Sequence, residues 1–172
     1  MIVGNIADIL YHPLETPEKR GFQVEVAADA GSGNAAPAAA AVPVDLGALL
    51  AAASADKGKE IAKKCAACHT FAKGEPNKIG PNLYGIVGNK KGHAADFAYS
   101  QGMLNFAGNK TWSYEELYQF INHPQKHVPG TKMGFAGLDK PEDIANVIAF
   151  LHTLSDAPPP LPKPGTMVTP EK

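Results

Sequence analysis

Cys65-Ala66-Ala67-Cys68-His69 is the stretch on which the reading of this chain turns. It has the form C-x-x-C-H, the attachment signature of a c-type haem. If the segment is helical, Cys65 and Cys68 stand three residues apart and His69 four from Cys65, so all three share one face. Two thiols so placed can each add to a vinyl group of the macrocycle. The imidazole beside them then lies under the iron as its proximal ligand. Cys65 and Cys68 are the chain's only cysteines. Two other readings of C-x-x-C stand beside this one. A zinc site needs four protein ligands, or three and a water, and adjacent Cys-His ligands fit a tetrahedron poorly. A redox dithiol has no need of the histidine and usually follows a strand in a βαβ unit.

The motif has company downstream. Val128-Pro129-Gly130-Thr131-Lys132-Met133-Gly134-Phe135-Ala136-Gly137 follows it, with Gly80-Pro81-Asn82-Leu83-Tyr84-Gly85, Tyr99 and the lone Trp112 in between. In this order the residues resemble the class I cytochromes c, the soluble mitochondrial and bacterial type. The resemblance runs from about Asp56 to Leu154, roughly 100 residues, a usual size for one domain. Within the class, the chain is most similar to the membrane-anchored bacterial carriers of the cytochrome c-552 type. The resemblance implies an all-α fold of three to five helices wrapped round one covalently bound haem c.

It also implies roles for particular residues. Cys65 and Cys68 would hold the haem covalently, and His69 and Met133 would be the axial ligands of its iron. Pro81 would accept the second ring N–H of His69, which fixes the ring and makes the ligating nitrogen more basic. A plain surface turn is the other reading of Gly80-Pro81-Asn82. Tyr99, Trp112 and Thr131 would donate to the haem propionates, because buried carboxylates need donors. Simple core filling is the other reading of Trp112. Met103, between Tyr99 and Trp112, is the rival to Met133, and any one methionine is commonly a core residue. Pro129 and Gly130 give a rigid turn ahead of Met133, which favours it. Three positions depart from the mitochondrial pattern: Asn89 stands where an arginine is common, Phe120 where a tyrosine is usual, and Gln125 in place of one of two docking lysines. Lys64, Lys73, Lys126 and Lys132 are candidates for a ring of cations round the exposed haem edge, against an ordinary solvated surface.

The 172 residues carry a net charge of −1, which leaves no footprint for nucleic acid. The charge is uneven: residues 1–44 hold −3, residues 45–156 hold +1, and the tail adds +1. Any basic docking face must therefore be local. Residues 1–10 are apolar but too short to cross a bilayer, and they have none of the marks of a signal peptide. They read as a remnant of a membrane anchor, or as a hydrophobic N-terminus without a role. Residues 11–26 read as an extended juxtamembrane segment, and 27–44, rich in Ala, Gly and Pro, as a flexible linker. The cytochrome domain spans 45–156. Within it, Asp45 is placed to cap a helix over Leu46–Ala53, and Asp56 to cap one over Lys57–Cys68. Residues 70–110 read as loops with at most a turn near Asp96. Ser113 and Glu116 form a capping box opening a helix that Pro124 ends. Ile144, Val147, Ile148 and Leu151 mark a last helix starting near Pro141. The tail 157–172, with six prolines, reads as extended and mobile unless something binds it.

Function follows from the resemblance: a one-electron carrier, not an enzyme, that links a cytochrome bc1 complex to a terminal cytochrome c oxidase. Its expected place is the periplasmic side of a bacterial inner membrane, with the mitochondrial intermembrane space as the less favoured setting. The alternatives are a haem enzyme or gas sensor with an open distal site, and the haem domain of a larger oxidoreductase.

Overall fold

The computed structural model describes residues 42–171. The segments 1–10 and 11–26, and nearly all of the linker 27–44, lie outside the described residues. The described part is mainly helical. A short strand β1 (Val44–Asp45) leads into α1 (Leu46–Ala52) and α2 (Ala55–Ile61), which tightens into a 3₁₀ turn over Ala62–Lys64. A long irregular stretch follows, then α3 (Gln101–Ala107), α4 (Tyr114–Asn122), the one-turn α5 (Pro124–His127) and α6 (Pro141–Thr153). Strand β2 (Met167–Val168) returns to pair antiparallel with β1, Val44 opposite Val168.

Side-chain caps start four of these helices. Asp45, Ser54, Ser100 and Ser113 each accept a hydrogen bond from the backbone N–H three residues on, satisfying a donor that the first turn leaves orphaned. Pro124 and Pro141 stand in the first turn of α5 and α6, where a missing N–H costs nothing. The core forms where α2 crosses α6. A Cβ on Gly58 would lie 1.9 Å from Asn146 O, so only glycine lets the two backbones meet. Ile144, Val147, Ile148 and Leu151, at the expected helical spacing, are all buried in the core with Leu117, Tyr118 and Ile121. Each such side chain contributes about 1.5–3 kcal/mol.

Five expectations need correction or completion. Six α-helices stand among the described residues rather than three to five, and α3 lies inside the stretch expected to be loop. The haem-motif helix is capped by Ser54, not Asp56, which sits in its first turn. The capping box at α4 is half formed: Ser113 Oγ accepts from Glu116 N–H at 3.3 Å, but the Glu116 carboxylate bonds Lys91 and His127 instead. The tail, expected to be mobile unless something binds it, is bound by the domain itself. Tyr114 Oη donates to Pro159 O at 2.7 Å, Leu46 N–H to Thr166 O at 2.8 Å, and Gln119 Nε2 to Thr169 O at 2.5 Å. Among the described residues no helix is long and apolar enough to cross a membrane.

Candidate haem site

The backbone keeps winding past the 3₁₀ turn. Cys65 and Ala66 N–H donate to Ala62 O, and Cys68 and His69 N–H donate to Cys65 O, all at 2.9–3.1 Å. One further turn therefore sets Cys65, Cys68 and His69 on a common wall of a cavity of about 460 Å³. Both thiols are free. Burial pushes the Cys65 thiol up, and Cys68 beside it adds to this, while Lys64 opposes it.

The His69 ring is held by one hydrogen bond. Its Nδ1–H donates to Pro81 O at 2.7 Å, since a carbonyl can only accept. That fixes the tautomer and leaves the Nε2 lone pair free. Burial pushes the imidazole down, outweighing the opposing bond to Pro81, so the neutral, ligating form is favoured. Pro81 is thus where the sequence placed it, and its turn is anchored. Asn82 Nδ2 donates to Thr70 Oγ1 at 2.8 Å and Ala72 O at 3.0 Å, and Asn82 Oδ1 accepts from Tyr84 N–H at 2.9 Å. Gly80 allows the turn to press against the imidazole, for a Cβ there would lie 2.4 Å from His69 Cε1.

Met133, Thr131, Tyr99 and Trp112 line the same cavity, so the structure brings together every residue expected at the site. Met103 lines it too, buried in the middle of α3 and packed in the core. Met133 differs in being half-buried on an irregular loop. Tyr99 Oη accepts from Ala94 N–H and Thr131 Oγ1 from Met133 N–H, both at 3.3 Å; each keeps its own hydroxyl hydrogen for another acceptor. Burial raises the Tyr99 hydroxyl, keeping it a donor. The remaining walls are mainly apolar, with Leu83, Ile86, Leu117 and Leu151 among them. Two thiols and an unprotonated Nε2 on one wall, a thioether on the Met133 loop and hydroxyl donors within an apolar chamber fit a covalently attached haem.

Phe120 packs on Trp112 at 5.0 Å between ring centroids and offers no hydroxyl. Asn89 does not reach the cavity; its Oδ1 accepts from Lys90 N–H at 2.8 Å. Of the four lysines, exposed Lys64 and Lys132 line the cavity, Lys126 is exposed apart from it, and Lys73 is ion-paired with Asp156. Sequence reasoning missed two residues. Lys91, whose side chain has 0% exposure, pairs with Glu116 and lies 4.8 Å from the Trp112 ring centroid. Burial pushes its ammonium down, and Glu116 opposes this. Gln125, noted only as a lost lysine, bonds the Met133 loop. A buried lysine inside Asn89-Lys90-Lys91 gave no periodic signal that could have found it.

The cytochrome c family model matches residues 55–155. A cytochrome c homolog of Bradyrhizobium diazoefficiens is 46% identical over 163 residues, covering 94% of this chain and 87% of that protein. Another, of Rickettsia bellii, is 43% identical over 153 residues, 89% of this chain and 86% of the relative. Among solved structures, cytochrome cH from Methylobacterium extorquens superposes with a TM-score of 0.54 at 40% identity, covering 58% of this chain and 98% of its own. The family binds one covalent haem c, and Cys65 and Cys68 fit its C-x-x-C-H motif. With more than half its length matched by the family model, this chain belongs to the cytochrome c family of electron carriers.

Proposed function

We propose that this carrier holds its haem through thioether bonds from Cys65 and Cys68, with His69 Nε2 and Met133 Sδ as axial ligands, and passes electrons from a cytochrome bc1-type complex to a terminal cytochrome c oxidase. One observation carries the ligand assignment. Pro81 O holds the proton of His69 at Nδ1, so Nε2 offers a lone pair in the cavity that Met133 also lines. When bound, the haem supplies an iron that cycles between Fe(III) and Fe(II), and a His/Met pair raises its potential. The chain supplies everything else. Pro81 orients the imidazole and increases its basicity. Thr131, Tyr99 and the Trp112 indole, which line the same cavity, would donate to the propionates. The mainly apolar walls would keep water from the faces of the haem.

The partner assignment rests on the family and on the rim. Lys64 and Lys132 are exposed cations beside the cavity, suited to acidic patches on redox partners. The setting we propose is the periplasmic face of a bacterial inner membrane, with residues 27–44 as the tether and residues 1–10 as the remnant of an anchor. Visible spectra of the oxidised and reduced protein test the ligands. A weak red-region band in the ferric form supports methionine, and its absence, with carbon monoxide binding readily, supports the open-site haem enzyme or sensor. Partners are tested by turnover: the protein should restore electron flow between purified bc1 complex and oxidase. Native protein should sediment with membranes, and cleavage within 27–43 should release a haem-bearing fragment. Protein found free in solution would remove the tether.

A further inference from the structure

The loop that carries Met133 is thinly held. Val128 N–H donates to Pro124 O at 2.9 Å and Thr131 N–H to Val128 O at 3.0 Å, closing a turn through Gly130, whose φ of 79° suits glycine. Beyond Thr131 the backbone is irregular until α6. Among the described residues, its next backbone–backbone tie is Leu138 N–H to Ile121 O, at 3.1 Å. In between, Met133 N–H reaches Thr131 Oγ1 within its own loop, at a long 3.3 Å, and the exposed Lys132 Nζ reaches Ala98 O at 3.4 Å. Gly134 would meet nothing within 4 Å even with a Cβ.

Gln125 closes that gap. Its Nε2 lies 3.1 Å from Thr131 O and 2.8 Å from Met133 O. Both partners are carbonyl oxygens, so the carboxamide must present its nitrogen, and its two N–H bonds match the two acceptors. The origin of the side chain is fixed as well. Gln125 sits in α5, behind buried Pro124 and ahead of buried Val128. The amide thus brackets Met133 from α5, on a side chain that is itself exposed.

We propose that Gln125 is a positioning residue for Met133: its carboxamide fixes the loop that carries Met133 and, in the holoprotein, would keep outside ligands away. The proposal rests on Met133 being the axial ligand. The ferric state tests it hardest, because a thioether favours ferrous iron and holds ferric iron less firmly. A neutral amide also achieves this without adding charge to the rim.

The experiment uses the ferric holoprotein, with azide as the probe, and compares the parent with Gln125→Leu, Gln125→Glu and Gln125→Lys. Leucine removes both donors, and glutamate sets a carboxylate against two carbonyls. Both changes should speed azide binding at least tenfold and weaken the red sulfur band. Lysine restores N–H donors and should return the rate at least part of the way. Gln119→Leu, which frees the tail at Thr169 O, is the control and should leave the azide rate unchanged. Parent-like azide rates and a full sulfur band in Gln125→Leu and Gln125→Glu overturn the proposal alone, even if their thermal stability falls. A parent without the sulfur band overturns both the proposal and the ligand assignment beneath it.

Discussion

Replacing Gly80 with alanine would put a methyl group into the His69 imidazole. The Cβ position lies 2.4 Å from Cε1 and 2.8 Å from both Nδ1 and Nε2. Carbon contacts settle near 3.5–4.0 Å, so the ring or the turn must yield by about 1 Å. Neither is free to do so. Nδ1 is tied to Pro81 O at 2.7 Å, Gly80 N–H to Cys68 O at 2.8 Å, and Gly80 O to Lys78 N–H at 3.0 Å. In the holoprotein Nε2 would be committed to the iron as well. Overpacking of this kind costs about 1–3 kcal/mol. Weakening the His69–Pro81 bond adds about 0.5–1.5 kcal/mol.

A loss of about 2–4 kcal/mol in the denaturant unfolding of the holoprotein is therefore expected. It should come with a lower reduction potential or a perturbed spectrum, since the proximal imidazole is displaced. Gly134→Ala is the matched control. It lies in the opposite loop, beside Met133, and its Cβ meets nothing within 4 Å. It should change stability by less than about 1 kcal/mol, and in the stabilising direction if the unfolded chain dominates. If Gly80→Ala matches Gly134→Ala in stability and in spectrum, the close contact is not a constraint and the account of the proximal side fails.

Met133→Ala should leave the haem covalently attached but open the distal position to carbon monoxide, lower the potential and remove the red sulfur band. Met103→Ala should do none of this and cost about 2–5 kcal/mol as a core truncation; the reverse pattern in the two spectra would exchange their roles. Neutralising Lys64 and Lys132 together should slow electron transfer to the partner at low salt and much less at high salt, whereas Lys73→Gln should leave the rate alone because Asp156 already pairs with it. Burial raises the Glu116 carboxyl, but hydrogen bonds from Lys91 and His127 outweigh it and hold it below its ordinary value. Such a group stabilises the fold above its unfolded-state value, and the contribution is lost as pH falls through the folded one. Glu116→Gln should therefore flatten the acid limb of a stability–pH curve over that window; an unchanged limb would show that the carboxylate is not held there.

Local signals were legible wherever a residue acts on its immediate neighbours. Asp45 and Ser113 cap the helices they were expected to cap, and the spacing of Ile144, Val147, Ile148 and Leu151 gave α6. The haem wall was legible too, because one turn of winding fixes how Cys65, Cys68 and His69 face. Helix α3 escaped because it is only seven residues long, with Gly102 and Asn105 breaking up Met103, Phe106 and Ala107; the cap Ser100 was its one signal. Ser54 and Asp56 can both cap and stand two residues apart, and the fold uses Ser54. The prolines of the tail gave its extended form but not its docking. The tail's partners Tyr114, Gln119 and His127 are scattered over α4 and α5, and no local pattern records such long-range bonds.

Glu116 shows why a correct motif can still misplace a side chain. Ser113-x-x-Glu116 is a capping box by sequence, and a helix cap is worth about 0.5–2 kcal/mol. Lys91 changes the balance. Its side chain is wholly buried, and a buried ion that loses its partner costs about 3–5 kcal/mol, less here because Glu116 keeps 30% exposure. Even discounted, that term is larger than half a capping box, so the carboxylate turns away from the helix start and toward the ammonium. The same Glu116 oxygen meets His127 Nε2 at 2.9 Å, and His127 Nδ1 meets Glu171 Oε1 at 3.0 Å. A single buried cation thus draws α4, α5 and the end of the tail into one cluster. Lys91 also lies over the rings of Phe106 and Trp112, at 4.1 and 4.8 Å from their centroids. Trp112 is itself a wall of the haem cavity. Lys91 thus stands two residues beyond Asn89 and against that indole, in a place that only the folded chain reveals.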